Sequence, residues 1–177
     1  CNDLLVRTRP DVIAEIHRTY LEAGADIIET NSFGTTPIVL AEYGLAAEAR
    51  ELSRLAAELA RREADRFGER IVAGSMGPTT KAISVTGGTT FGELVESFRI
   101  QALGLIEGGA DYLLIETAQD TRNVKAAILG AQAANRELGA ALPLALSCTI
   151  ESTGTMLAGQ GIEAFYLSVE HAEPLYV

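Results

Sequence analysis

Leu21-Glu22-Ala23-Gly24-Ala25-Asp26-Ile27-Ile28-Glu29-Thr30 decides the fold, because its plan returns farther along the chain. Ile106-Glu107-Gly108-Gly109-Ala110-Asp111, the apolar run Tyr112–Ile115 and then Glu116-Thr117 repeat it. Each copy reads as the end of an amphipathic helix, a glycine that permits a left-handed turn, and a short buried strand. Each strand carries a carboxylate at its far end. Repeated βα units with continuously apolar strands imply a parallel sheet covered by helices.

Working outward, Pro10 and Asp11 open a helix with Val12, Ile13, Ile16, Tyr20 and Leu21 at helical spacing, stopped by Gly24. A longer helix is expected to carry Leu45, Leu52, Leu55 and Leu59 on one face, with Gly68 after its end. Ile71-Val72-Ala73 is the next strand and runs into Gly74-Ser75-Met76-Gly77-Pro78. Thr90 and Glu93 have capping-box spacing for a helix with Phe91, Leu94, Val95, Phe98, Leu105 and Ile106. Asp120 is read as the cap of a further helix with Val124, Ala127, Ile128 and Ala131 on its core face. Leu144-Ala145-Leu146 begins a strand through Ser147-Cys148-Thr149, and a last helix holds Ile162, Phe165 and Val169. Leu175-Tyr176-Val177 reads as the start of another strand.

Four strands and the beginning of a fifth, at roughly 35–45 residues per unit, leave two α/β architectures open. One is a middle stretch of an eight-unit barrel, which would need about 300 residues in all. The other is a small doubly wound domain. Both chain ends are expected to continue into a longer polypeptide. A partial barrel would leave two sheet edges and its apolar strand faces uncovered, which predicts self-association.

Composition narrows the function. With 47% hydrophobic and 21% charged residues the chain has enough apolar material for a core. Fourteen Lys and Arg against 24 Asp and Glu give a formal charge of −10, which opposes binding to nucleic acid or to an anionic membrane. No apolar run approaches the roughly 18 residues that span a bilayer. Two cysteines, Cys1 and Cys148, make neither a disulfide framework nor a metal cage, and a cytoplasmic setting is expected.

Ligands of parallel α/β folds bind at the carboxyl ends of strands, which selects four clusters. Glu29-Thr30-Asn31-Ser32-Phe33-Gly34 offers small polar groups, although Asn and Ser there also serve strand-end hydrogen bonding. Gly74-Ser75-Met76-Gly77-Pro78-Thr79-Thr80 has two glycines that let backbone amides approach a ligand, or that make a plain turn. Glu116 in Glu116-Thr117-Ala118-Gln119-Asp120 needs a cation, which a substrate ammonium or a neighbouring Lys or Arg would supply. Ser147-Cys148-Thr149 with Glu151 is the fourth cluster, with Cys148 read as a small core residue. His17 and His171 are assigned solvated or helix-face positions. The long connection from Gly74 to Thr89 has the length of a binding loop or lid.

At these residues a family resemblance becomes specific. Glu22–Gly34, Ala73–Thr79 and Gly109–Thr117 resemble the homocysteine-binding β/α barrels, the homocysteine S-methyltransferases. Gly154-Thr155-Met156-Leu157-Ala158-Gly159-Gln160, Ala164-Phe165-Tyr166 and Glu170–Leu175 are similar to the branch found in cobalamin-dependent methionine synthases. The resemblance covers essentially the whole chain. It implies an incomplete (β/α)8 TIM barrel, roughly the second to fifth βα units plus the start of the sixth strand, with residues 1–177 a partial homocysteine-binding domain.

The implied activity is transfer of a methyl group from methylcobalamin, recharged by 5-methyltetrahydrofolate, to the homocysteine thiolate. The implied partners are homocysteine and the folate and cobalamin domains of the same polypeptide. Glu116 would bind the homocysteine amino group, while Thr30, Asn31, Ser32, Ser75 and Gly77 would shape the pocket. In the family a zinc ion on three cysteines holds the sulfur as thiolate. Neither Cys1 nor Cys148 matches those positions, so the zinc ligands are expected outside this chain, which itself would bind no cofactor and supply no catalytic residue. The family's Asp-Gly motif on the first strand is also missing, and the chain alone is expected to be inactive. Two alternatives remain: a cobalamin-independent zinc methyltransferase with a betaine or S-methylmethionine donor, and a non-catalytic binding or scaffolding fragment.

Overall fold

The computed structural model describes residues 1–177. Its sheet contains β1 (Ile27–Glu29), β2 (Ile71–Met76), β3 (Tyr112–Ala118) and β4 (Leu144–Cys148). The strands lie in the order β1-β2-β3-β4 and every neighbouring pair is parallel. The helices are α1 (Leu5–Thr8), α2 (Pro10–Glu22), α3 (Pro37–Leu40), α4 (Ala49–Ala64), α5 (Phe91–Glu107), α6 (Thr121–Leu138) and α7 (Ile162–Val169). No helix is long and apolar enough to cross a membrane.

Strand order removes the doubly wound alternative. A doubly wound sheet reverses its order at a switch point and takes helices on both faces. Here each right-handed crossover moves one strand in the same direction, which keeps all the helices on one side. Burial agrees with that. Leu113 and Ile115 of β3 and Leu144 and Leu146 of β4 pack with Phe98, Val124, Ile128 and Phe165 of the helices. Ile28 and Val72 do the same with Leu21, Ala60 and Ala64. The alternate residues Ala73, Tyr112, Leu114 and Ala145 form a separate cluster on the opposite, concave face.

The repeated βα plan is visible in the backbone. Gly24 and Gly109 both take positive φ, at 97° and 90°, where a helix turns into a strand. Thr90 and Glu93 make a complete capping box at the start of α5, and the Asp120 side chain accepts from Arg122 N at the start of α6.

Several details differ from the sequence reading. Leu45 lies ahead of α4, after the single turn of α3 and a left-handed Gly44, so the apolar face of α4 begins at Ala49 and Leu52. Phe91 and Ile162 occupy first turns and stay exposed, because the core-facing stripe of each helix begins farther on. His17 is buried on α2, not solvated. Leu175-Tyr176 is not a full strand. Leu175 N donates to Leu144 O and Leu146 N donates to Tyr176 O, one residue away from a regular parallel ladder.

Helix-to-helix distance is set by glycine. A Cβ on Gly104 or Gly108 would collide with the α4 carbonyls of Arg50 and Arg54, and one on Gly130 would lie 2.6 Å from Val95 O of α5. Gly104→Ala gains ~1 kcal/mol of helix propensity but forces α4 and α5 apart. A net loss of about 1–3 kcal/mol in urea unfolding is expected, and an unchanged or raised midpoint would show that the helices separate freely.

Candidate functional site

Sequential parallel strands bring the carboxyl ends of β1, β2 and β3 side by side, and the predicted residues gather there. Alternation along the strands turns Glu29, Ser75 and Glu116 to the concave face that carries Ala73, Tyr112 and Leu114. Ser75 Oγ donates to Glu116 Oε1 at 2.5 Å. Ser75 N donates to Thr30 Oγ1 at 2.9 Å, Thr30 Oγ1 lies 2.6 Å from Ser32 Oγ, and Ser32 Oγ donates to Ser75 O at 2.7 Å. Thr30, Ser32 and Ser75 are buried, so they hold the rim together and aim Glu116.

Glu116 is thereby presented with Oε1 occupied by a neutral donor and Oε2 without a protein partner. None of the chain's ion pairs involves it. The Lys or Arg partner considered from sequence is not what holds this carboxylate. Gly77 closes the same rim: its N–H donates to Phe33 O at 3.0 Å. Its missing Cβ leaves room for the Phe33 ring, which would otherwise stand 2.6 Å from it. Asn31 is directed elsewhere. Its amide donates to Asn2 O at 3.0 Å and ties the first residues of the chain to the end of β1.

Glu29, Phe33 and Thr117 lie in the clusters selected from sequence but carry no individual role there, and Gln101 lies outside those clusters. Glu29 faces the same concavity, and partial burial first, then the charge of Glu116, raise its pKa above the usual carboxylate value. Thr117 has φ of 56°, a left-handed conformation costly for a β-branched residue. It sits at the irregularity between Ile115 and Ala118, and its N–H donates to Ser147 Oγ at 3.2 Å. Glu116 therefore lies inside β3, immediately before a kink, and not beyond the strand end. Phe33 is 44% exposed over the rim. Gln101 of α5, fully buried, donates to Ser32 O at 2.8 Å and to Thr35 Oγ1 at 3.2 Å, fixing the turn after β1 from behind. A polar residue on the buried stripe of α5 was the signal available for Gln101.

The connection after β2 is latched to α6. Asp120 accepts from Ser84 N at 2.8 Å and from Ser84 Oγ at 3.2 Å while it caps the helix. Asn123 accepts from Ile83 N at 3.1 Å and donates to Lys81 O at 2.8 Å. Both side chains are buried. Asp120 is the helix cap read from sequence and also half of a clasp on the loop.

The sequence profile described as Homocysteine S-methyltransferase matches residues 1–177. The chain belongs to that family. The methionine synthases of Mycobacterium tuberculosis (strain ATCC 25618 / H37Rv) and Mycobacterium leprae (strain TN) are each 44% identical to it over 174 residues, 96% of this chain. The chain spans 14% of the length of these curated relatives. Crystal structures of the Escherichia coli homocysteine methyltransferase MmuM share its fold. The metallated form superposes with a TM-score of 0.80 at 24% identity, covering 95% of this chain and 62% of that one. The oxidized form gives 0.76 at 24% identity, covering 96% and 61%. The arc of four strands is a part of the β/α barrel of this homocysteine S-methyltransferase family.

No group of three or more His, Cys, Asp or Glu is placed to hold a metal ion. Cys1 is exposed beside Asp3, while Cys148 lies on β4 with burial pushing its thiol pKa up, away from the thiolate that zinc prefers.

Asp120→Ala removes a cap worth about 0.5–2 kcal/mol together with the Ser84 contacts. Trypsin is expected to cut after Lys81 roughly tenfold faster, with Asn123→Ala behaving alike. Equal cleavage rates would show that the loop is held by other contacts. A second expectation concerns Glu29. Because its folded-state pKa is raised, the native state holds this proton more tightly than the unfolded chain, and stability falls as pH rises through the carboxylate range. Glu29→Gln should match the wild type below about pH 4 and exceed it at pH 7 in thermal unfolding. A variant less stable at pH 7 would reverse the assignment.

Proposed function

We propose that this chain is the amino-acid-holding part of a homocysteine-binding domain in a cobalamin-dependent methionine synthase. The observation that carries this reading is Glu116, turned into the concave face, held by Ser75 and left without a basic partner. An α-ammonium is a compact cation with three donors, and Glu116 Oε2 offers it a charge-assisted acceptor. Glu29 adds negative potential on the same face. Thr30, Ser32 and Ser75 act by positioning Glu116, and Gly77 acts by admitting Phe33 over the rim. Asn31 supports the pocket through the amino-terminal segment.

In this reading the residues present bind and orient the amino acid and exclude water from one side of it. Thiolate-ligated zinc, which deprotonates a thiol near neutral pH, belongs to other portions of a longer polypeptide, as do the cobalamin and methyltetrahydrofolate domains. The 44% identity to methionine synthases favours this donor over betaine or S-methylmethionine. Two unpaired cysteines fit a reducing, cytoplasmic location.

In the longer polypeptide, Glu116→Gln keeps the Ser75 contact and removes the charge. A loss of about 2 kcal/mol in homocysteine binding, roughly thirtyfold in Kd, is expected by calorimetry. Ser75→Ala should give a smaller loss in the same direction. Wild-type affinity in Glu116→Gln would reject the role.

A further inference from the structure

Buried polar side chains collect behind the turn that follows β1: Thr35, Ser53 of α4, and Ser97 and Gln101 of α5. Gln101 is the largest of them and shares its side of α5 with Phe98 and Leu105, where an apolar residue would pack without desolvating an amide. Because α5 packs between α4 and α6, this cluster lies away from both edges of the sheet. Two neighbours on α5 bring the amide to the turn. Gly104, three residues on, lets α5 approach α4 so closely that a Cβ there would stand 2.7 Å from Ser53 Cβ. Ser97, one helical turn before, accepts from Ile38 N at 3.3 Å. Ser97 and Gln101 thus clamp the two ends of the stretch from Ser32 to Ile38.

The orientation of the Gln101 amide follows from its partners. Ser32 O is a carbonyl and only accepts, so Nε2 must face it, at 2.8 Å. The same nitrogen donates to Thr35 Oγ1 at 3.2 Å, and Thr35 Oγ1 lies 2.7 Å from Ser53 Oγ. Oε1 then points away, buried and with no partner in the protein. Ser32 O does not depend on Gln101 for its pairing, since Thr35 N and Thr35 Oγ1 also donate to it, at 3.0 and 2.8 Å. What the amide adds is placement. The Ser32 that it grips is the residue whose hydroxyl donates to Ser75 O, and Ser75 in turn donates to Glu116. Three hydrogen bonds therefore lead from α5, behind the sheet, to the carboxylate on the concave face.

We propose that Gln101 is a positioning residue for the amino-acid site, fixing Ser32 so that Ser75 presents Glu116 to the α-ammonium of the ligand. The proposal rests on the ammonium-binding role given above to Glu116. Gln101 itself touches no ligand and acts by limiting how far the turn after β1 shifts. Charge-assisted hydrogen bonds to Glu116 Oε2 depend on distance and direction, so a displaced rim weakens them while the rest of the pocket is kept.

Calorimetry on the longer polypeptide tests this with homocysteine and with γ-mercaptobutyrate, which keeps the thiol and the carboxylate and lacks the amino group. Gln101→Met, similar in length and volume, is expected to raise the homocysteine Kd about fivefold and to leave the γ-mercaptobutyrate Kd unchanged. In a Glu116→Gln background the same substitution should add no further loss, because the charge it serves is already gone. Thr35→Val removes an acceptor of the same amide from a different segment and should weaken homocysteine binding with the same selectivity, which keeps the test decisive if Gln101→Met does not fold. Wild-type homocysteine affinity in the folded variants, an equal loss for the two ligands, or a full additional loss on Glu116→Gln would each overturn the positioning role. Wild-type affinity in Glu116→Gln alone would instead overturn the ammonium reading, and this proposal with it, so the two failures are distinguishable.

Discussion

A carboxylate turned into the concave face of a sheet loses water and must be given donors or a cation. Glu116 receives one donor, the Ser75 hydroxyl, and no cation from the chain. Its position is nevertheless fixed, because Ser75 is itself held through Thr30 and Ser32 of the neighbouring strand end. Three strands distant in sequence are thus joined at one rim by a short run of buried hydroxyls. A rim that spends neutral groups on its carboxylate keeps the stronger, charged interaction available for a ligand.

Much of this was legible because it follows from local backbone chemistry. Gly24 and Gly109 announce their left-handed turns, Thr90 and Glu93 their capping box, and Asp120 its helix cap. The clusters that contain Thr30, Ser32, Ser75, Gly77 and Glu116 followed from their places after apolar strands, the choice of these residues within them came from the family resemblance, and the structure brings the five together. What escaped depends on relations between segments. Thr117 is β-branched, and nothing local marks it for a positive φ; the kink arises where β3 and β4 lose register. Asn31 is turned away by Asn2, a residue 29 positions earlier. Phe33 rests over Gly77 because two loops meet, although each alone reads as an ordinary turn.

Close helix packing has a related origin. Gly104 and Gly130 sit inside helices, where glycine costs about 1 kcal/mol relative to alanine, and Gly108 caps the end of α5. Each lies where a neighbouring helix's carbonyl would meet a Cβ. The cost is offset by apposition of α4, α5 and α6 behind β2 and β3, the strands that carry Ser75 and Glu116. Precise placement at the rim is thus supported from the far side of the sheet, by residues with no side chain at all.

Homocysteine has a charged amino-acid end and a thiol end, and the two make opposite demands. The first needs fixed polar and charged groups, which a rim of parallel strand ends provides readily. The second needs a proton removed from sulfur, and no group of three or more His, Cys, Asp or Glu is placed on this arc to hold a metal for it. In the proposed reading these demands fall on different arcs of the barrel. The arc seen here is organised to recognise and orient, and its hydroxyl-held carboxylate is complete without the metal. Chemistry at sulfur then depends on how the remaining strands close against β1 and β4, since only closure brings a second set of side chains opposite Glu116.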